Sequence, residues 1–307
     1  MWKPLAVALT MFAAPALAAP PEVVVTIQPL HSLVAGVMHG VGAPRLLVQG
    51  GASPHDFALK PSDARLLSGA GLVVLADEGL ESFLAKPLKT IAGKAEVIEM
   101  SALPGMTLLP RREGGVWEEE EEEEEHGHGH DHEDGHKHGH ADQDPHLWLD
   151  PANAMALVKA VAETLGRMDP ANAGAYAASA ARLTAELQAL DGRLRERLAP
   201  VAGSPYVVFH DAYQYVEHRY GLAPAGAVTL DPEHPPSAKR LAGLRDRLKA
   251  ANVRCVFREP QFPAAVVGRL ADSAGARVAV LDPLGTGAYT PMMEALAGNL
   301  AQCLSGK

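Results

Sequence analysis

Short apolar runs alternate with longer stretches of helical period along most of the chain. Residues 23–27, 45–48, 72–75 and 96–98 are runs of strand length rich in β-branched and leucine side chains, and 206–209, 227–230, 253–257 and 277–281 repeat the rhythm in the second half. This pattern predicts strands alternating with helices, the arrangement of two α/β lobes, each built on a parallel sheet. Between the halves, residues 171–198 contain no proline, and Leu183, Leu187, Leu190, Leu194 and Leu198 recur every three or four positions. One long amphipathic helix is expected there, opened at Asp169-Pro170 and closed at Pro200. At 1.5 Å per residue it would extend about 40 Å and form a stiff connection that favours small tilting over wide closure. The expected organisation is a first lobe over 19–170, the linking helix over 171–198 and a second lobe over 199–307.

Residues 1–18 break the pattern. Lys3 precedes an apolar run over 5–14, and the segment ends in Ala16-Leu17-Ala18. It reads as a cleaved secretory signal peptide, because a membrane span needs about 20 apolar residues and Pro15 interrupts this run. No cysteine follows the cleavage point to carry a lipid, and no other segment is apolar enough to insert in a bilayer. The mature chain is therefore expected in a periplasm-like, oxidising compartment, where Cys255 and Cys303 can pair and tie the last helix back to a strand. Two buried, unpaired thiols are the alternative.

The formal charge of −10 is local: residues 118–142 hold twelve acidic side chains and one lysine, so the rest of the chain is close to neutral. No dense lysine and arginine stripe remains to neutralise phosphates, which excludes a nucleic-acid footprint. Two cysteines also exclude a scaffold of several disulfides or a site of four thiolates. The acidic segment opens with eight consecutive glutamates, followed by His126, His128, His130, His132, His136, His138 and His140. With almost nothing apolar to bury, residues 113–143 are expected to form a disordered loop inserted in the first lobe. Glutamates alone would suit a solvated tract without chemistry. The histidines point instead to several weak, interchangeable sites for zinc, copper or nickel.

Three further histidines carry a sharper signal. His55 follows the second strand in Gly51-Ala52-Ser53-Pro54-His55-Asp56-Phe57, His146 precedes a helix in Pro145-His146-Leu147-Trp148-Leu149, and His210 ends a strand in Phe209-His210-Asp211-Ala212-Tyr213. Asp282 follows the last strand in Leu281-Asp282-Pro283. Ligands of open α/β sheets bind beyond the carboxyl ends of strands, where these side chains emerge. Taken singly, each histidine is as well explained by packing or capping. Together, His55 and His146 from one lobe and His210 from the other can enclose one ion, with a carboxylate or water as fourth ligand of tetrahedral zinc. His31 and His234 are weaker candidates for the same cleft, and His39 and His218 are expected on helix surfaces. Glu259 follows a strand and is a candidate to support a ligand, a buried salt bridge being the alternative. Trp148 and Tyr213 are expected to wall the site from water, and Asp77 and Glu78 to cap the next helix.

These runs, together with Leu281-Asp282-Pro283-Leu284-Gly285, the His/acid-rich insertion and the two cysteines, resemble the ZnuA family of zinc-uptake solute-binding proteins over nearly the whole mature chain. The resemblance implies two α/β lobes joined by a long helix, and a Zn2+ site between them formed by His55, His146 and His210. It also implies a Cys255–Cys303 disulfide and delivery of zinc in the periplasm to the membrane permease of an ATP-binding-cassette importer, by a chain that acts as a monomer. Family members often place an acidic residue immediately before the first histidine; here that position is Pro54, which leaves water or Asp282 for the fourth ligand. Manganese-binding relatives draw carboxylates from the second lobe, so the nitrogen of His210 favours zinc over manganese.

Two other classes remain in view. A secreted zinc hydrolase would share three histidines and a water, but the chain lacks His-Glu-x-x-His and Gly-x-Ser-x-Gly and shows no obvious general base, so no enzyme is expected. No Gly-rich phosphate loop ending in Gly-Lys-Ser/Thr is present either, so the chain does not itself supply nucleotide energy. A periplasmic metal buffer would make the tract, rather than the cleft, the functional part. Deleting residues 118–140 separates these readings: calorimetric titration is expected to keep one tight zinc per molecule and to lose only weaker sites. Loss of the tight one-to-one step would transfer the function to the tract.

Overall fold

The computed structural model describes residues 19–112, 143–230, 232 and 236–306. The expected signal peptide, the tract with its seven histidines, and His234 lie outside the described residues. The first lobe runs β1 (Val23–Val25), α1 (Gln28–Val37), β2 (Arg45–Leu46), α2 (Pro61–Ser68), β3 (Leu72–Leu75), α3 (Ala85–Thr90), β4 (Glu96–Glu99) and α4 (Pro151–Met168). After the connector α5 (Ala173–Leu198), the second lobe runs β5 (Tyr206–His210), α6 (Gln214–Tyr220), β6 (Pro224–Thr229), α7 (Ala238–Ala250), β7 (Cys255–Arg258), α8 (Ala265–Ala274), β8 (Arg277–Val280) and α9 (Tyr289–Leu304). Every strand predicted from the apolar runs is present. The differences lie at the ends: β2 stops at Leu46, and β6 begins at Pro224.

The strand orders are β2-β1-β3-β4 and β6-β5-β7-β8, parallel throughout. In each lobe the chain steps outward from its first strand and then crosses back over it. That reversal leaves a crevice at the carboxyl ends of β1 and β3 in one lobe and of β5 and β7 in the other.

Side chains alternate between the two faces of a strand, and here the alternation sorts residues into separate cores. Val23, Val25, Leu72 and Val74 join one large apolar cluster, as do Tyr206, Val208, Cys255 and Phe257 of the second sheet. The intervening Val24, Val73 and Leu75 pack beneath α2 and α3, and Val207, Phe209 and Val256 pack against α7 and α8. The inner faces of both sheets thus share one continuous core, completed by α1, α4, α5 and α9.

The long connector is the predicted helix with a 3-10 turn added at each end, Pro170–Asn172 and Ala199–Val201. Leu187, Leu190, Leu194 and Leu198 face the shared core and are buried. The connector is no isolated rod, since it packs on α1 and α4 of the first lobe and on α9 of the second. Gly36 of α1 permits the closest approach: a methyl group there would come within 2.8 Å of Leu183. Two bonds also cross directly between α1 and the segment entering α9. Gln28 donates to the Gly287 carbonyl at 2.9 Å, and the Tyr289 amide donates to Ser32 at 2.8 Å. Cys255 and Cys303 form a disulfide that ties β7 to α9, as the pairing reading expected. No helix among the described residues is long and apolar enough to cross a membrane.

A core shared by both lobes makes them unfold as one unit. Urea denaturation followed by far-ultraviolet circular dichroism and by tryptophan fluorescence should give one coincident transition. Leu190→Ala should lower stability by about 2–5 kcal/mol without splitting it, and two separated transitions would show that the lobes are energetically independent.

Candidate metal centre

His55, His146 and His210 meet. One ring nitrogen from each lies within 4.8 Å of the others, and the ring centroids stand 5.5 Å (His55–His146), 5.4 Å (His55–His210) and 5.2 Å (His146–His210) apart. His210 is the last residue of β5, at the crevice of the second sheet, where strand geometry fixes its backbone. His146 opens a 3-10 turn, Leu147–Leu149, whose following residue Asp150 caps α4 by accepting from the Ala152 amide at 2.7 Å. His55 comes from the loop after β2, where Ser53 Oγ accepts its backbone amide at 3.2 Å. His146 and His210 are buried, whereas His55 is half-buried and closes the open side.

The two buried rings are each held by a carboxylate. Asp144 Oδ1 accepts from the Nδ1 of His146 at 2.7 Å and from its amide at 3.0 Å; Glu259 Oε1 accepts from the Nδ1 of His210 at 2.7 Å. With Nδ1 donating in both rings, both Nε2 atoms turn inward as bases, and they stand 3.3 Å apart. Two lone pairs facing each other at that distance repel unless a cation lies between them. A zinc ion with Zn–N bonds of about 2.0–2.1 Å spaces tetrahedral ligand atoms about 3.3–3.4 Å apart, so this pair matches one edge of such a site.

A proton is the competing cation. Burial, reinforced by the charge of His210, holds the pKa of His146 well below the usual imidazole value. Burial also works against a charged His210, but the charge and hydrogen bond of Glu259 outweigh it, and its pKa is raised. Burial pushes the Asp144 carboxyl up to about 7. Of the two rings, His210 is therefore the one that takes up a proton more readily.

The walls are apolar. Trp148 is fully buried, its ring 5.3 Å from that of His146, and its Nε1 donates to the Pro283 carbonyl across the lobes at 2.7 Å. Tyr289 returns the link by donating its hydroxyl to the Trp148 carbonyl at 2.7 Å. Phe262 meets His210 edge-on at 6.0 Å, and Tyr213 is buried at 6.5 Å from it. Burial and the neighbouring Glu259 push the phenol pKa of Tyr213 well up.

Asp282 is not part of the gathered group. Its Oδ1 accepts from Gln261 at 2.9 Å and from the amides of Leu284 and Gly285 at 3.0 Å, shaping the turn that carries Pro283 into the cleft wall. Gly285 is required in that turn: its φ is +61°, and a Cβ would meet Met292 at 2.7 Å. His31 also lies elsewhere, its Nε2 against the Pro44 carbonyl at 3.2 Å, while His39 sits in the exposed turn after α1 and His218 on the exposed face of α6. Asp77 caps a turn rather than a helix, accepting from the Gly79 amide at 2.7 Å; the buried Glu81 instead accepts from the amides of Ala76 and Asp77 at 2.9 Å. Asp144, Gln261 and Phe262 were not singled out in the sequence. Only Asp144 carried a local signal, an aspartate two positions before a histidine.

The family model "Zinc-uptake complex component A periplasmic" matches residues 23–303. The chain belongs to the ZnuA family. It is 43% identical to the high-affinity zinc uptake system protein ZnuA of Brucella suis biovar 1 (strain 1330), over 92% of this chain and 91% of that one. It is 41% identical to the ZnuA of Paracoccus denitrificans (strain Pd 1222), over 98% and 97%. A crystal structure of ZnuA superposes with a TM-score of 0.77 at 26% identity, covering 92% of this chain and 99% of that one. A zinc-bound ZnuA lacking its residues 138–173 also gives 0.77 at 26% identity, over 94% and 99%.

In this ZnuA-family site, acid should weaken zinc binding from the neutral side. The lone pair that zinc needs is the one the proton occupies, and the raised His210 pKa places that competition above the ordinary value of about 6.5. Below that pKa, zinc affinity should fall about tenfold per pH unit, with a plateau at higher pH. An affinity that stays flat between about pH 5 and 8 would show that no such proton is displaced.

Proposed function

We propose that this protein captures Zn2+ in the periplasm and hands it to the membrane permease of an ATP-binding-cassette importer. His55, His146 and His210 act as its ligands, and a water completes the tetrahedron. The observation that carries the reading is the 3.3 Å separation of two inward-facing Nε2 atoms, one from each lobe, each backed by a carboxylate. Three imidazoles suit zinc better than manganese, which prefers hard oxygen ligands. Asp282 is occupied in shaping its own turn, which supports water in the fourth position.

The chemistry is binding without turnover. Carboxylates that lock the ring tautomers raise the basicity of the ligand nitrogens, so the ion meets a site already arranged. Glu259, the acid lining the cleft beside His210, is committed to that ring, which supports a site without a general base. The Zn-bound structure among the relatives and the names of the homologues support zinc as cargo.

Isothermal titration of metal-free protein should give one tight zinc per chain. His146→Ala should weaken it by at least about 100-fold, more than loss of a supporting carboxylate would, while Asp282→Asn should change it only a few-fold. Unaltered tight binding in His146→Ala would remove this cleft from the function, and a large loss in Asp282→Asn would return that carboxylate to the metal.

A further inference from the structure

The two ends of the described chain that flank residues 113–142 form a short stem. Pro110 and Gln143 pair as an antiparallel bridge, the Asp144 amide donates to the Leu109 carbonyl at 2.9 Å, and Arg111 Nε donates to the Gln143 carbonyl at 3.3 Å. The stem belongs to the first lobe by sequence, yet its bonds run to the second. The Tyr215 hydroxyl donates to the Asp144 carbonyl at 2.8 Å and accepts from the Leu109 amide at 3.2 Å, and Gln214 donates to the Pro110 carbonyl at 3.1 Å. Arg112 reaches furthest. Its Nε donates to Asp211 Oδ2 at 3.0 Å, its Nη2 pairs with Asp211 Oδ1, and the same Nη2 lies 2.7 Å from Glu217 Oε2. The other Glu217 oxygen accepts from the Tyr206 hydroxyl at 3.0 Å.

Every one of these second-lobe partners lies on β5, on α6 or on the turn between them, and Asp211 directly follows His210. At its other end the stem carries Asp144, whose carboxylate holds His146. The stem therefore connects the support of one buried histidine to the residue beside the other. Asp211 and Glu217 are both shielded from solvent and repel each other; the guanidinium fork sits between them. Without that positive charge the two carboxylates would move apart, and the displacement of Asp211 would fall on the residue next in sequence to His210.

We propose that Arg112 is a positioning residue for the metal centre, fastening the stem to Asp211 and Glu217 so that His146 and His210 are held at their coordinating separation. The proposal rests on the zinc reading of the cleft. The fastener acts after the ion has arrived, by keeping the ligands from parting, so it governs release more than capture.

The test is zinc dissociation from the full chain into excess chelator, measured by stopped flow, together with the imidazole proton and nitrogen resonances of the zinc-free protein. Arg112→Met should speed dissociation at least tenfold with little change in association rate. Arg112→Lys, which keeps the charge but loses the fork, should lie between, and Tyr215→Phe should speed release by cutting the neighbouring ties without altering charge. All three should shift the His146 and His210 resonances in the absence of zinc. If wild-type protein holds no tight zinc, the transport reading falls, and shifted resonances still support the fastener. If wild type holds zinc and the variants lower only the melting temperature, leaving off-rates within twofold and resonances unmoved, Arg112 is merely structural and the proposal fails. Should Arg112→Met not fold, Arg112→Lys and Tyr215→Phe decide by the same readings.

Discussion

Two imidazole nitrogens, contributed by different lobes, point their lone pairs at one another across 3.3 Å, and the structure around them answers that repulsion. Each ring is turned inward because its other nitrogen donates to a buried carboxylate, Asp144 in one case and Glu259 in the other. The buried acids behind the rings favour a cation between them, and burial prevents water from screening the pair. A proton can answer that repulsion at one nitrogen; in the proposed zinc reading a divalent ion would engage both nitrogens and His55 as well.

Such an arrangement depends on distances that a flexible hinge would not keep. The inner faces of both sheets and four helices share one apolar core, and α5 runs through it rather than beside it. Only two residues from His146, Trp148 donates to the Pro283 carbonyl across the cleft and accepts from the Tyr289 hydroxyl at its own carbonyl. The lobes therefore present His146 and His210 as parts of one body, and His55, half-buried, is the most exposed of the three rings.

The topology explains why His210 and Glu259 meet. Both stand at the carboxyl ends of β5 and β7, the neighbouring strands at which the order of the second sheet reverses, so a histidine ending one strand faces an acid following the next. Asp144 reaches its histidine by another route. It is bonded to its partner only two residues away, and the stem bearing it is pinned to the second lobe through Tyr215, Gln214 and Arg112.

Much of this was legible in the order of residues, because the forces involved are local. Strand-length apolar runs, the leucine spacing of α5 and the placement of histidines beside strand ends and helix starts are properties of consecutive positions, and the folded chain keeps them. Two cysteines in a chain expected to be exported were enough to anticipate the disulfide. Partnership over long separations was not legible. Glu259 could be named as a support for some ligand but not assigned to His210, Asp282 looked as able as water to supply a fourth ligand, and nothing in the run of residues joined Arg112 to Asp211 and Glu217. Residue types and their local periods are written along the chain, so the sequence by itself determined the elements, the lobes and the three histidines. How far apart the rings stand, which nitrogen of His210 faces inward and that Glu259 holds it depend on packing between residues 49 to 135 positions apart, and only the tertiary structure decided them.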